Sequence, residues 1–386
     1  MIDSADLKQS VSAADLSEKF GQWLSDVLGV SYEALSIHQI AGDASPRRYF
    51  RVSTPSAAPV VHPERSVLGG GAHQDLSTPV LLRDADTLIA VTSPPSENND
   101  AFLAVRKILQ KAGLRVPAQL ACDLENGFFL MEDFGDVLLA SRLDPDNVDA
   151  LYAQALQELG RLAVMPTADV ALPVFDATRV AEELSVFPEW FLRQHLGLAD
   201  ADLPPVLWHT LVSHLISVFE DPPRTVVHRD FHSRNIMCLL DGQMGVIDFQ
   251  DAVLGPVTYD PVSLLKDCYV RWPREDQIRW LESHRQRLRA QGVEVSDDAQ
   301  QFVRQFDLVG LQRHLRVMGV FARLSLRDHK SSYLNDLPLV LAYVRETLER
   351  YCHEPQIGDF SNWFENLVMP NVARQPWYRD SGVSAQ

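Results

Sequence analysis

Three polar side chains near the middle of the sequence have the types and spacing that phosphoryl transfer requires. The segment Val226 to Met237 reads VVHRDFHSRNIM, so Asn235 follows Asp230 by five positions. Eighteen positions past Asp230, another apolar run closes on Ile247-Asp248-Phe249. Transfer from a nucleoside triphosphate needs one carboxylate to orient the attacking hydroxyl. It also needs a second carboxylate and an amide oxygen for Mg²⁺, a hard cation that prefers oxygen ligands. The transition state is stabilised mainly by position and charge, so a few groups fixed on strand ends suffice. A lone His-x-Asp is common, and a strand ending in Asp is often a turn; the combination with this spacing is what points to a kinase-like site.

The elements around these residues must hold them still. Helix-face spacing of Leu16, Phe20, Trp23, Leu24, Val27 and Leu28 predicts a helix within residues 1–30. Strands are expected at 36–40, 49–53, 87–92, 119–123 and 127–132, and a helix containing Phe102, Val105, Ile108 and Leu109 should stop at Gly113. Residues 54–86, rich in Pro, Ser, Ala, His and Gly, read as a loop insertion, of which 57–80 should be mobile and dispensable. After residue 136 the pattern is helical, at about 147–165, 179–196, 204–220, 259–291, 297–327 and 336–352, with short strands near 225–228, 236–239 and 245–248. This predicts an α+β fold of two lobes. A nucleotide-binding lobe of antiparallel sheet would span 1–133 and a mainly helical catalytic and substrate lobe 134–386, with a cleft between them for ligands.

The run His228 to Asn235, followed by IDFQDAVLGPVTYDPVSLL at 247–265, resembles the aminoglycoside phosphotransferase and choline kinase superfamily. Gln250 follows Phe249 where protein kinases have Gly, which points away from them. Five further stretches are similar to the bacterial anomeric kinases for N-acetylmuramate and N-acetylglucosamine. They are GDASPRRYFRV (42–52), FLMEDFG (129–135), FPEWFL (187–192), DPVSLLKDCYVRWP (260–273) and GVFARLSLRDHKSSYLNDLP (319–338). The resemblance covers most of residues 15–350. It implies an ATP- and Mg²⁺-dependent sugar kinase acting on the C1 hydroxyl in peptidoglycan recycling. Asp230 would be the catalytic residue, Asn235 and Asp248 the metal ligands, and His228 and Asp260 structural supports of the loop. Gly42, Asp43, Ala44 and Ser45 resemble a nucleotide-covering turn, though an ordinary hairpin turn fits them too. Gly69-Gly70-Gly71 lacks phosphate-loop spacing and reads as linker.

One departure stands out. Kinase-like folds place a Lys on the third strand to hold the α- and β-phosphates, and Thr87 to Thr92 contains none. Arg47, Arg48 and Arg51 are the nearest substitutes; Arg48 is carried forward with Glu132, Asp133 and Phe134, against which adenine should lie, as cofactor-binding. On the sugar side the candidates are Glu189, Trp190, Arg323, Asp328 and Lys330, with helix amphipathicity and surface charge as their alternative meaning.

Thirty-five basic against 52 acidic residues give −17, which argues against a broad nucleic-acid or anionic-membrane surface. No apolar run is long enough to span a bilayer, and the N-terminus lacks a signal-peptide pattern. The four cysteines are scattered, so they read as reduced core residues in a cytoplasmic protein with no obligate protein partner. Two other functions remain open on sequence alone. One keeps the fold and changes the acceptor to an aminoglycoside or amino alcohol. The other is a nucleotide-binding pseudokinase, motivated by the missing strand lysine.

Overall fold

Alternation of large apolar residues builds the sheet. The computed structural model describes residues 18–40, 46–54, 87–94, 96–168 and 170–378. Strands β1 (Ser36–Ile40), β2 (Arg48–Ser53), β3 (Leu88–Thr92), β4 (Gln119–Asp123) and β5 (Phe128–Glu132) form one antiparallel sheet in the order β1-β2-β3-β5-β4. Phe50 and Val52, Leu88 and Ala90, and Phe128 and Leu130 occupy every second position of their strands, so they share one face. Helix α1 (Glu18–Leu28) covers that face with Phe20, Trp23, Leu24, Val27 and Leu28. The Phe20 ring lies 4.9 Å from Phe128 and 5.8 Å from Phe50. Each such side chain contributes roughly 1.5–3 kcal/mol by leaving water. Helix α2 (Asn99–Lys111) ends before Gly113, whose φ of 88° is the left-handed conformation of a helix stop.

The chain falls into two compact units. The first comprises residues up to Lys107 with Arg115–Val137 and Leu239–Gln250, so the segment carrying Asp248 belongs with the sheet. The second comprises Ile108–Leu114, Leu138–Cys238 and Asp251 onward. It contains α3 (Val148–Ala163), α4 (Ala177–Val186), a π-helical stretch (Phe187–His195) and α5 (Pro205–Glu220). After β6 (Arg224–Val227), β7 (Ile236–Cys238) and β8 (Met244–Val246) come β9 (Val253–Pro256), α6 (Tyr259–Leu265), α7 (Arg274–Ala290), α8 (Ala299–Leu326) and α9 (Leu337–Arg350). Strand β8 lies in the first unit. Two short helices, α10 (Pro355–Trp363) and α11 (Met369–Val372), follow. Strands β6 and β9 pair antiparallel, Val227 opposite Val253, and fix the start of the 228–235 loop. The long α8 runs through this unit, with Phe306, Leu311, Leu315 and Met318 fully buried.

Three expectations need correction. The helix expected over 259–291 is two, α6 and α7. Pro273 has no N–H to donate and cannot lie inside a helix, so it sits at the start of α7. The helix expected over 179–196 changes from α to π at Phe187. Strand β9 and helices α10 and α11 were not anticipated. The four cysteines are free, with Cys122 and Cys268 buried but Cys352 exposed rather than in the core. Among the described residues, no helix is long and apolar enough to cross a membrane. Gly42 to Ser45, Gly69 to Gly71 and nearly all of the 54–86 insertion lie outside the described residues.

Candidate active site

The loop after β6 is held by a strained peptide with many partners. Arg229 has φ 77°, a conformation that L side chains rarely adopt. Such a residue costs on the order of 1–3 kcal/mol and persists only when its surroundings over-determine it. Here they do. The N–H groups of His228 and Arg229 donate to the two carboxylate oxygens of Asp260 at 2.7 and 2.9 Å. The Arg229 carbonyl accepts from Ser263 Oγ at 3.0 Å and Arg313 Nη1 at 2.9 Å. Asp260 therefore clamps the turn from the first turn of α6. Burial pushes its carboxyl up to about 7, against the pull of those two N–H donors and Arg313.

The turn presents Asp230. Its side chain is 26% exposed, with Oδ1 3.3 Å from the Nη1 of the buried Arg313. Burial alone would raise its pKa, but Arg313, Arg316 and Arg229 outweigh it and hold the carboxyl well below the usual range. Asp230 is thus an anion at any working pH. Its N–H donates to His228 Nδ1 at 3.3 Å, which places the imidazole proton on Nε2. His228 is fully buried. Asn235 Nδ2 donates to the Asp230 carbonyl at 3.0 Å, which fixes which end of the amide is oxygen. Ser233 N–H donates to Asp267 at 2.9 Å and ties down the middle of the loop. The structure therefore brings His228, Asp230, Asn235 and Asp260 into one cluster.

In the sheet unit, Asp248 is exposed and has φ 61°, another strained non-glycine. Its Oδ1 accepts from Gln250 Nε2 at 2.8 Å. The next residue, Phe249, is buried and stacks on Phe102 of α2 at 5.0 Å. The same Phe102 ring carries the Arg47 guanidinium at 5.3 Å. Arg47 is buried, donates Nε to Ser93 Oγ at 3.1 Å, and has Nη1 3.6 Å from Glu97. Tyr49 lies close enough to feel both Arg47 and Asp248, although burial is what chiefly raises its phenol pKa.

The other basic candidates on this strand are otherwise engaged. Arg51 pairs with Asp133 at 2.5 Å and Asp136 at 2.8 Å, and Thr87 adds a 2.6 Å bond to Asp133. Burial would raise Asp133, but Arg51, Thr87 and the Gly135 N–H hold it below its ordinary value. Arg48 is exposed, donates to Gln39 at 3.2 Å and lies over Phe50. The Glu132 carboxylate is gripped by Arg115 and accepts from Ala118 N–H at 3.1 Å. Its own N–H donates to Ala118 O at 2.9 Å, so the backbone at Glu132 keeps a partner. Phe134 lies under Arg115 and against Gly245, where an added Cβ would fall 2.5 Å from the ring.

The sugar-side candidates are dispersed over the helical unit. Glu189 bonds Arg193 at 2.6 Å and lines a hollow of about 560 Å³ with Leu192, Arg193 and Trp208. Neither Asp230 nor Asn235 lines that hollow. Trp190 is half-buried on the π-helical stretch. Asp328 is bonded twice by Arg327, at 2.8 and 2.9 Å. The Lys330 N–H donates to Leu324 O at 3.0 Å, and Arg323 belongs to α8. Sequence reasoning missed Arg313 and Arg316. Their only signal is charge in a mostly apolar helical stretch, Leu311 to Phe321, and a cation in a buried helix needs a counter-ion.

An antiparallel five-stranded sheet followed by a helical region, with a clamped His-x-Asp loop and a strained Asp-Phe turn, defines a kinase-type phosphotransferase. The phosphotransferase enzyme family model matches residues 36–299, and the chain belongs to that family. It is 35% identical to the N-acetylmuramate/N-acetylglucosamine kinase of Pseudomonas putida over 89% of this chain and 93% of that protein. It is 37% identical to the Pseudomonas aeruginosa protein of the same name over 72% and 81%. Among solved structures, an ADP-bound aminoglycoside phosphotransferase superposes with a TM-score of 0.53 at 13% identity, over 86% of this chain and 99% of that one. This last likeness speaks for the fold alone.

Proposed function

We propose that this chain is an ATP-dependent kinase that phosphorylates the C1 hydroxyl of N-acetylmuramate and N-acetylglucosamine. The observation that carries the reading is Asp230, an anion held by three arginines at the tip of a strained, clamped loop. A reducing sugar's C1 hydroxyl is a hemiacetal and more acidic than an ordinary alcohol. A weakly basic carboxylate suffices to orient and receive that proton. The names of the Pseudomonas relatives support the same acceptors.

The side chains present fit Mg²⁺ and a nucleotide. Asn235 offers an amide oxygen and Asp248 an exposed carboxylate, the hard donors that Mg²⁺ takes alongside phosphate oxygens. Among the described residues no group of three or more His, Cys, Asp or Glu could hold a metal ion by itself. Sharing the cation with phosphates is consistent with that. When bound, Mg²⁺ would offset charge on the phosphoryl oxygens. We assign the phosphate-holding cation to Arg47 in place of the missing strand lysine. Its guanidinium lies beside Ser93, one residue beyond β3, has Glu97 as its acidic partner, and shares the Phe102 ring with Phe249.

The test is ATP turnover against N-acetylmuramate, N-acetylglucosamine, glucose, choline and kanamycin, with phosphorus NMR of the product. The expected result is a sugar 1-phosphate, with loss of the reducing end in step with ADP release. Phosphate on C6, or turnover confined to the amines, would overturn the reading.

A further inference from the structure

Helix α8 carries more positive charge near the Asp230 loop than that loop consumes. Arg313 meets Asp230 and the Arg229 carbonyl. Arg316 has Glu183 at 3.4 Å, but Glu183 also pairs with Arg229 and accepts from Gln312. Arg323 has no salt bridge among the described residues, and its buried Nε has no hydrogen-bond partner there. Asp328, whose charge acts on Arg323, is itself taken in a fork by Arg327. Burial, then the like charges of Arg327 and Arg316, press Arg323 below the ordinary arginine value. A half-buried cation with two like charges beside it and no partner is costly unless something anionic arrives.

The helix geometry aims these groups. Arg316 and Arg323 are seven residues apart, two turns and about 10 Å along the axis, so they share a face. Arg323 is close enough to feel the charges of Arg327 and Arg316. Between them Gly319 lets α8 touch the start of the π-helical stretch, where an added Cβ would fall 2.4 Å from Val186 O. That contact fixes the arginine-bearing face against the stretch that carries Trp190.

We propose that Arg323, with Arg316, receives the carboxylate of an acidic amino sugar, the group that distinguishes N-acetylmuramate from N-acetylglucosamine. The inference rests on the sugar-kinase reading above. The muramate carboxylate hangs from the C3 oxygen, two ring carbons from the reacting C1. With C1 at Asp230 it extends the substrate along α8 toward Arg316, the cation that already acts on Asp230. An arginine fork matches a carboxylate in bidentate fashion, and a neutral sugar leaves that fork without its anion.

The experiment compares kcat/KM for N-acetylmuramate, its methyl ester and N-acetylglucosamine in the wild type, Arg323→Gln and Arg323→Lys. Calorimetric titration of the same sugars without nucleotide accompanies it. In Arg323→Gln the acid-to-neutral specificity ratio should fall about 10- to 100-fold, the worth of one charge-assisted hydrogen-bonded pair. Arg323→Lys should fall between, since it keeps the charge and loses the fork. In titrations the wild type should bind the acid more tightly than its ester, and Arg323→Gln should bind them alike. If the wild type phosphorylates both sugars and the ratio is unchanged in Arg323→Gln, the carboxylate site is wrong and the kinase reading stands. If the wild type phosphorylates neither sugar, the acceptor reading falls and takes the site with it. Should Arg323→Gln fail to fold, Arg316→Gln is read against the same ratio, and an unchanged value there also overturns the proposal.

Discussion

Asp230 and Arg47 do separable work at the level of single residues. Asp230→Asn keeps the side chain's shape and removes its charge. Turnover should drop on the order of 10²–10⁴-fold, the usual worth of a positioned acid–base group. ATP affinity by titration should change little, because the variant still carries Asn235, Asp248 and Arg47. Near-normal kcat would remove Asp230 from the chemistry. Arg47→Met should do the reverse and weaken ATP binding about 10- to 100-fold while adenosine, which has no phosphates, binds as before. Equal losses for ATP and adenosine would mean that Arg47 only supports the fold through Ser93 and Phe102. The Asp230–Asn235 spacing was legible in the sequence because both residues lie on one loop. The partners were not. Arg313 lies 83 positions from Asp230, and nothing local in the sequence ties a helix arginine to a distant carboxylate.

Element by element, the sequence pattern located most helices because each buries one stripe. It could not locate changes of pitch. Phe187 to His195 keeps Phe187, Pro188, Phe191 and Leu192 inward, a pattern that an α-helix and a π-helix share over so few residues. At the start of the stretch the backbone of Val186 and Phe187 lies directly against Gly319 of α8, a contact no local pattern announces. Gly319→Ala tests that contact. Its Cβ would meet Val186 O at 2.4 Å and Val186 C at 2.5 Å, backbone atoms that cannot rotate away. The expected cost is about 1–3 kcal/mol, read as a lower urea midpoint. An unchanged midpoint would show that the two helices slide apart freely.

For the whole molecule, acidity acts through buried imidazoles more than through net charge. His284 of α7 and His314 of α8 are almost wholly buried, and burial pushes each down to about 3. His314 stacks on Tyr343 at 4.9 Å, has Lys266 O at 3.0 Å, and has the Lys266 and Arg313 charges nearby to disfavour its protonation further. In the unfolded chain a histidine titrates near 6.5. Between pH 6.5 and 3 the unfolded state therefore holds two protons that the folded state refuses. Stability from this source is complete above pH 6.5 and is lost as pH falls toward 3. The loss is about 1.4 kcal/mol per pH unit for each ring, or about 4 kcal/mol for the pair at pH 5. Asp260, which burial raises to about 7, takes up a proton over the same range in the folded state alone and offsets part of this loss. His314→Gln, which cannot take up the proton, should be less stable at pH 7.5 yet lose about 2 kcal/mol less than the wild type by pH 5, read from urea midpoints. An equal loss on acidification in the wild type and in His314→Gln would mean that this ring is protonated in the folded protein, and that Lys266 and Arg313 do not isolate it as the packing implies.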